Sequence, residues 1–351
     1  MKRFLPLALA LLAAAALAKG VTLSGAGATF PYPLYAKYFS VYHKLTGVRV
    51  NYQSIGSGGG IRQLFSGTVH FGASDAPLAD AKLAEFERKF GTAVVHVPTA
   101  LGAVVPIYNL PGVREPVRFS GPVLADIFLG KIRKWSDPAL AALNPGVKLP
   151  PLPITVVRRS DGSGTTYIWT EYLAKVSPEW KEKVGAGKSV AWPTGLGGKG
   201  NEGVAGLVRQ TPGAIGYAEL VYAVQNKIAY GAVQNRAGRF VRADLASLRA
   251  AAELDDFPAD ARVSLTDTPA AEGYPIASFT WILVYRDLDK NRAVKSAAEA
   301  KALAELLDWI VHDGQHYNEA LHYAALPEVA VHATEANLKA LRYRGEPLLG
   351  E

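Results

Sequence analysis

The segment Val156–Tyr167, Val-Val-Arg-Arg-Ser-Asp-Gly-Ser-Gly-Thr-Thr-Tyr, decides how the chain is expected to fold. The alternating residues at its start predict a buried strand over 154–157. The spacing of aromatic and aliphatic residues at its end predicts a helix over 165–175. Between them lies a turn rich in glycine and short hydroxyl side chains. The segment is therefore predicted to be a strand that runs through a glycine turn into a helix.

Such a turn is suited to a tetrahedral anion. The start of a helix presents unpaired backbone N–H groups and the positive end of the helix dipole. Ser163 and Thr165 add hydroxyl donors, and Arg159 adds a planar cation that matches an oxyanion. An ordinary glycine turn capped by a serine has a similar local sequence, so other parts of the chain must distinguish the two.

Two further stretches have the same character. Residues 25–31 read Gly-Ala-Gly-Ala-Thr-Phe-Pro and lie between a predicted strand and an aromatic helix. Residues 56–60 read Gly-Ser-Gly-Gly-Gly and also separate a strand from a helix. A small-residue loop, 71–77, follows and contains Asp75. The glycine spacing does not match the G-x-G-x-x-G pattern of a dinucleotide site.

Composition limits the class of protein. The chain has 351 residues, of which 49% are hydrophobic and 20% charged, and its formal net charge is +7. This length is sufficient for two lobes, each with its own core. The absence of cysteine excludes disulfides, thiol chemistry and thiolate metal sites. Basic residues alternate with acidic ones rather than forming a block, which gives no support to a nucleic-acid surface.

The first residues, 1–18, have the pattern of a secretory signal peptide. Lys2 and Arg3 precede an apolar run that ends in Ala16-Leu17-Ala18. The run is about 15 residues long, shorter than the roughly 18 expected of a membrane-spanning helix. An uncleaved N-terminal anchor is the alternative. We expect an exported protein that is soluble after cleavage.

Strands alternate with helices along the chain, which predicts an α/β protein with helices on both sides of its sheets. A turn at 109–112 and a strongly strand-like run at 277–285 are the expected crossings between lobes. The predicted division is 19–111 plus 276–351 for lobe 1 and 112–275 for lobe 2. Strands are also predicted at 93–97 and 101–108, and helix and loop over 239–269.

Other chemistries fit the sequence less well. The stretch 195–201 lacks the Gly-Lys-Ser/Thr of a Walker loop and is interpreted as a flexible turn. His312 and His316 are four residues apart, but no acid completes a zinc-protease pattern, so a solvated helix face is expected. No G-x-S-x-G motif surrounds Ser57 or Ser163. A serine hydrolase stays open, since folding can bring a distant histidine to either serine.

Three stretches together resemble a known family. Residues 25–31, residues 56–60 with 71–77, and residues 158–165 are similar, in this order, to the exported phosphate-binding protein of the bacterial high-affinity ABC phosphate transporter. The resemblance covers nearly the whole mature chain and fades over 239–271 and at the C-terminus. Supporting matches lie in 130–135, 143–146, 195–201 and 212–217.

The resemblance implies a type II periplasmic-binding-protein fold of two lobes, each a mixed sheet flanked by helices, that closes on phosphate in the cleft between them. It implies a periplasmic receptor, not an enzyme, without cofactor or metal, that delivers phosphate to the transmembrane permease subunits. Asp161 is expected to hold the guanidinium of Arg159. The implied phosphate-binding residues are Thr29, Phe30, Ser57, Asp75, Arg159, Ser163, Gly164 and Thr165.

Asp75 has a physical reason to accept rather than repel the ligand. Phosphate at neutral pH keeps a hydrogen that it can donate, whereas sulfate has none. A carboxylate in a closed cleft therefore favours phosphate and opposes sulfate. Two alternatives remain at this point: a receptor for another oxyanion such as sulfate or molybdate, and a secreted enzyme that acts on phosphoesters.

Overall fold

A computed structural model describes residues 20–254 and 256–350 of the chain. The predicted signal peptide at 1–18 lies outside the described residues. Within them, helices and strands alternate over most of the chain, as predicted. Among the helices described, none combines the length and the apolar character that a membrane crossing requires.

The elements are as follows. The strands are β1 (Thr22–Gly27), β2 (Arg49–Ser54), β3 (Phe71–Ser74), β4 (Val94–Tyr108), β5 (Arg118–Phe119), β6 (Thr155–Arg159), β7 (Leu196–Gly198), β8 (Ala214–Glu219), β9 (Ala229–Tyr230), β10 (Ala232–Gln234), β11 (Phe240–Val241), β12 (Ala277–Tyr285), β13 (Arg342–Tyr343) and β14 (Glu346–Pro347). The α-helices are α1 (Tyr32–Thr46), α2 (Ser57–Phe65), α3 (Asp80–Phe90), α4 (Gly121–Phe128), α5 (Pro138–Leu143), α6 (Gly164–Val176), α7 (Pro178–Lys183), α8 (Gly200–Gln210), α9 (Leu220–Gln225), α10 (Leu245–Ala251), α11 (Ala297–Val311) and α12 (Glu328–Lys339). Short 3-10 turns lie at Leu288–Lys290, Asp313–Tyr317 and Glu319–Leu321.

One mixed sheet of nine described strands organises the protein. Its order is β2-β1-β3-β12-β4-β8-β6-β7, and β9 also pairs with β4. We call β2, β1, β3, β12 and the first part of β4 the first half-sheet, and the end of β4 with β8, β6 and β7 the second half-sheet. Within the first, β1 is parallel to β2 and β3. Within the second, β6 is parallel to β7 and β8. The α/β prediction with mixed sheets is confirmed.

Strand β4 connects the two half-sheets. The prediction of separate strands at 93–97 and 101–108 is wrong, because the chain stays extended through Pro98. The register with β12 shifts between Thr280 and Trp281, and this irregularity opposite Pro98 lets the strand continue without the missing N–H. β4 pairs with β12 up to Ala103 and with β8 from Val104. The predicted lobe limits at 111 and 276 stay a prediction.

The aromatic face of α1 packs into the core, as the sequence indicates. Tyr35, Tyr38 and Phe39 are buried, and Tyr35 and Phe39 both contact Tyr52 of β2. The hydroxyl of Tyr35 also bonds to that of Thr99 on β4, at 2.9 Å. Helix α1 is thereby fixed against the first half-sheet. Because α1 begins at Tyr32, this packing also holds the turn that precedes it.

Candidate anion-binding site

The predicted site residues of the first half-sheet lie where strands end. Thr29 and Phe30 join β1 to α1, Ser57 is the first residue of α2, and Asp75 directly follows β3. Because β1, β2 and β3 run parallel, their carboxyl ends share one edge of the sheet. This edge is where open α/β sheets bind ligands.

The second half-sheet supplies the remaining predicted residues. Arg159 ends β6, Ser163 is the residue before α6, and Gly164 and Thr165 open that helix. Ser163 caps the helix, since its Oγ accepts a hydrogen bond from the backbone N–H of Thr166 at 2.9 Å. That bond uses a lone pair of the serine oxygen and leaves its hydrogen available to a ligand.

The two groups of residues meet. The backbone N–H of Gly58 in α2 donates to the carbonyl of Gly162 in the α6 turn at 2.9 Å. A Cβ placed on Gly164 would lie 2.4 Å from Oδ2 of Asp75 and 2.5 Å from Oγ of Ser57. The start of α6 therefore faces the start of α2 at a distance that only a glycine permits.

All seven predicted ligands that carry a side chain are at most 3% exposed; they are Thr29, Phe30, Ser57, Asp75, Arg159, Ser163 and Thr165. An anion bound among them would lose its water shell. Its oxygens would then depend on protein donors, which are strongest when one partner carries charge. The burial is thus compatible with a site that binds a dehydrated anion.

Arg159 and Asp161 form a bidentate pair. Nε of Arg159 donates to Oδ1 of Asp161 at 2.7 Å, and its Nη2 donates to Oδ2 at 2.6 Å. Oδ1 also accepts from the backbone N–H of Gly200 at 3.2 Å. Burial opposes ionisation of Asp161, but these bonds outweigh it and hold its pKa below the usual range. The carboxylate of Asp161 thus fixes the position of the Arg159 guanidinium.

Asp75 has the environment of a functional carboxyl. Burial raises its pKa to about 7, against the opposing effects of a bond from Thr280, the charge of Arg159 and the hydroxyl of Ser57. Thr280 donates to Oδ1 at 2.7 Å, while Oγ of Ser57 is 3.4 Å from Oδ2. Oδ1 is thus held firmly, and Oδ2 is held loosely on the side that faces Gly164.

Thr29 and Phe30 are held by two tyrosines that the sequence analysis did not single out. The hydroxyl of Tyr222 donates to the carbonyl of Thr29 at 2.5 Å, and that of Tyr323 donates to the carbonyl of Phe30 at 2.6 Å. Both tyrosines are distant in the sequence and carry no local motif. Both carbonyls of this turn are therefore occupied by tyrosine hydroxyls. The turn offers its backbone N–H groups, rather than these carbonyls, to a ligand.

Asn201 is a further residue that the sequence analysis missed. It lies in the stretch 195–201, which was interpreted as a flexible turn; this interpretation is wrong. The stretch forms β7 and the start of α8, and Gly200 has a φ of +72° that glycine tolerates. Asn201 is fully buried. The sequence pattern that could have identified Asn201 is a glycine turn between a strand and a helix, the same pattern as in residues 25–31, 56–60 and 158–165.

No group of three histidine, aspartate or glutamate side chains in the described part of the chain is arranged to hold a metal ion. His312 bonds to Glu335 at 2.9 Å and to the backbone carbonyl of Asp308. His312 and His316 are exposed, as expected, but His312 follows the end of α11 and His316 lies in the 3-10 turn at Asp313–Tyr317, so the expectation of a shared helix face is wrong.

Comparisons with known proteins identify the family of the chain. A family profile described as "PBP superfamily domain" matches residues 13–313. The phosphate-binding protein PstS of Pasteurella multocida is 46% identical over 321 residues, which cover 91% of this chain and 90% of that protein. The phosphate-binding protein PstS of Haemophilus influenzae is 44% identical over 325 residues, or 92% of this chain and 94% of that protein.

Solved structures share the fold. A phosphate-binding protein from Stenotrophomonas maltophilia has a TM-score of 0.68 at 19% identity, covering 90% of this chain and 93% of that one. A high-affinity periplasmic phosphate-binding protein, PfluDING, solved with phosphate bound, has a TM-score of 0.71 at 20% identity. Its match covers 94% of this chain and all of that one. The chain belongs to the PstS phosphate-binding protein family of the PBP superfamily, and its mixed α/β fold is the one that the resemblance implied.

Proposed function

We propose that the protein binds one phosphate ion between its two half-sheets and delivers it to the membrane permease subunits of an ABC phosphate transporter. The observation that carries the proposal is the meeting of the α2 and α6 starts around a buried arginine and a buried carboxyl. The names of the PstS relatives, which are phosphate-binding proteins, support it.

The proposed ligand contacts follow from donor geometry. The first N–H groups of α2 and α6 have no partner within their own helices and point along the helix axes. Two of them are used within the protein, since Gly58 donates to the carbonyl of Gly162 and Thr166 to Oγ of Ser163, and the proposed ion contacts are at Ser57, Gly164 and Thr165. Hydroxyl groups and the Arg159 guanidinium add charge-assisted bonds, each worth roughly 1.5–3 kcal/mol. Several such bonds together replace the lost hydration of the ion. The proposed contacts are those of Thr29, Phe30, Ser57, Asp75, Arg159, Ser163, Gly164 and Thr165, with Asp161 in support.

Asp75 favours phosphate over other oxyanions. Hydrogen phosphate donates its proton to the carboxylate, whereas sulfate and molybdate present only oxygen lone pairs to it. The competing role as a sulfate or molybdate receptor is therefore the weaker candidate. The proposed role is a receptor that releases its ligand unchanged and performs no catalytic step.

We further propose that residues 1–18 are a signal peptide and that the receptor works in the periplasm. In this proposal the chain divides into lobe 1, 19–111 plus 276–351, and lobe 2, 112–275, and the lobes close on phosphate. Small-angle scattering of the protein with and without phosphate is expected to show a smaller radius of gyration with the ion. Identical profiles would contradict closure.

Calorimetry tests the function directly. The protein is freed of phosphate by unfolding and refolding, and is then titrated with phosphate and with sulfate at pH 8. We expect a one-to-one complex with phosphate and much weaker binding of sulfate. Absence of phosphate binding would refute the proposal, and tighter binding of sulfate would favour the competing receptor. Release of product from p-nitrophenyl phosphate at a steady rate would instead indicate an enzyme.

A further inference from the structure

We infer that Asn201 is a positioning residue that turns the hydroxyls of Thr29 and Thr165 into donors toward the bound ion. The inference rests on the proposed phosphate site and extends it to a residue outside the proposed ligand set. Asn201 is the second residue of α8 and fully buried. Its amide lies between Thr29, near the first half-sheet, and Thr165, near the second.

The orientation of the Asn201 amide is set by the backbone. Oδ1 accepts from the N–H of Glu219 at 2.9 Å. A backbone N–H can only donate, so the oxygen of the amide must face Glu219 and the nitrogen must face the other way. Nδ2 then donates its two hydrogens, one to Oγ1 of Thr29 at 2.7 Å and one to Oγ1 of Thr165 at 3.0 Å.

The bonds from Asn201 occupy both lone pairs of the Thr29 hydroxyl and one lone pair of the Thr165 hydroxyl. A hydroxyl has one hydrogen and two lone pairs. Oγ1 of Thr29 also accepts from the backbone N–H of Asn201 at 3.1 Å, so both of its lone pairs are occupied. Its hydrogen cannot return to Asn201, which offers Thr29 only N–H groups. Thr29 is therefore a donor only, and Thr165 also has its hydrogen directed away from the amide.

This arrangement has a consequence for selectivity. A ligand proton cannot be accepted by Thr29, since that oxygen is saturated. Among the acceptors that remain, the carboxylate of Asp75 is the charged one, and its Oδ2 is only loosely bonded, so it is the preferred acceptor of that proton. Asn201 and Asp75 thus have complementary roles: one keeps the threonine hydroxyls as donors, and the other accepts the proton that phosphate carries. The amide of Asn201 also bridges Thr29, near the first half-sheet, and Thr165, near the second. Both of its donor bonds therefore form only when the two half-sheets lie together.

The first variant is Asn201→Asp, which has nearly the same shape. One carboxylate oxygen still accepts from Glu219, but the other replaces Nδ2 and accepts from the two threonines. Their hydrogens then point to residue 201 rather than to the ion. Loss of two donor bonds to a charged ligand is expected to raise the phosphate Kd by about 100-fold or more at pH 8. Asn201→Leu removes the amide without adding a charge and is expected to act in the same direction.

Asn144 offers a matched control. It is buried, its Nδ2 donates to the carbonyls of Arg118 and Leu140 at 3.0 and 2.9 Å, and its Oδ1 accepts from the N–H of Arg118 at 2.8 Å. Its bonding therefore copies that of Asn201 except that its partners are backbone carbonyls. Asn144→Asp is expected to lower the free energy of unfolding and to leave the phosphate Kd within about threefold.

A double-mutant cycle separates positioning from a merely structural role. Each Asn201 variant is made in the natural sequence and in a Thr29→Val, Thr165→Val background, and phosphate binding is measured by calorimetry after urea unfolding has confirmed the fold. We expect the effect of Asn201→Leu to shrink to about threefold or less in the background that lacks both hydroxyls. An equal loss of affinity in the two backgrounds would overturn the inference. Asn201→Ala, which also removes the amide without adding a charge, carries the cycle if Asn201→Leu does not fold.

The outcomes also separate this inference from the proposed function. If the unmodified protein fails to bind phosphate, the proposed function fails with it. If the unmodified protein binds phosphate and both Asn201 variants bind it equally well, the function stands and the positioning role of Asn201 is wrong.

Discussion

Replacing Asp75 by Asn is expected to remove most of the selectivity for phosphate over sulfate. The substitution keeps the shape of the side chain and its Oδ1, which accepts from Thr280 at 2.7 Å. It replaces Oδ2, the oxygen that faces Gly164 and the proposed ion, by an NH2 group. An acceptor that suits a protonated ligand thereby becomes a donor that suits an unprotonated one.

The size of the effect follows from the bonds exchanged. The natural site loses about 1.5–3 kcal/mol of phosphate binding when the charged acceptor is removed, and sulfate gains a donor bond of similar size. The phosphate-to-sulfate affinity ratio is then expected to fall by roughly 10²–10⁴-fold at pH 8.5. Because burial raises the pKa of Asp75 to about 7, the carboxyl gains a proton at lower pH and becomes a donor itself. Selectivity in the natural protein is thus expected to fall between about pH 8 and pH 6.

The assay is calorimetric titration with phosphate and with sulfate at pH 6 and pH 8.5. Asp137→Asn is the control, because it makes the same change of charge at a helix cap of α5 and outside the proposed ligand set. Asp137→Asn is expected to leave the affinity ratio unchanged. An Asp75→Asn protein that keeps the natural ratio within about threefold would refute the role assigned to Asp75.

Three further predictions concern the same site. Gly164→Ala places a Cβ 2.4 Å from Oδ2 of Asp75, so it should weaken phosphate binding by at least about 100-fold in calorimetry and lower the free energy of unfolding by about 1–3 kcal/mol; unchanged affinity would contradict the close approach. Between about pH 4 and pH 7 the unfolded chain loses the Asp75 proton before the folded protein does. The contribution of Asp75 to the free energy of unfolding of the ligand-free protein should therefore fall by up to about 4 kcal/mol as pH rises. It is measured as the difference between the natural protein and Asp75→Asn, because other buried groups such as Glu219, whose pKa burial also raises, titrate in both proteins. Asp161→Asn weakens the bidentate pair that holds the Arg159 guanidinium and should raise the phosphate Kd about tenfold at pH 8. A Kd equal to that of the natural protein would contradict the supporting role of Asp161.

The parts of the site that sequence reasoning found share a local signal. Residues 25–31, 56–60 and 158–165 each combine glycine, short hydroxyl side chains and a change from strand to helix periodicity. The conformation of such a turn depends on residues that are adjacent in the sequence. The end of the strand and the start of the helix can therefore be predicted without knowledge of the tertiary structure. The small-residue loop around Asp75 indicated that this loop could belong to a site, and the role of Asp75 as the acceptor of the ligand was implied by the family resemblance.

The residues that were missed act through contacts between distant parts of the chain. Tyr222 and Tyr323 reach the carbonyls of Thr29 and Phe30 from far along the sequence, and an isolated tyrosine predicts nothing about its partner. Asn201 had the local signal of a strand–turn–helix but was interpreted as a flexible turn, because its glycines failed the Walker pattern. Failing one motif does not make a glycine-rich stretch flexible.

The burial of individual residues and the pairing of strands also could not be predicted from sequence patterns. A strand through Pro98 depends on an irregular register with β12, which is a property of the partner strand rather than of β4 itself. The raised pKa of Asp75 likewise depends on exclusion of water by residues of both half-sheets. Such features arise only when the chain is folded, so the sequence could predict the chemistry of the carboxyl but not its ionisation.

A crystal structure of the protein with phosphate bound tests the central claim most directly. We expect one ion between the starts of α2 and α6, within hydrogen-bond distance of Ser57, Arg159 and Ser163, with one of its oxygens about 2.5–2.7 Å from a carboxylate oxygen of Asp75. An ion bound elsewhere on the protein, with this space filled by water, would contradict the account.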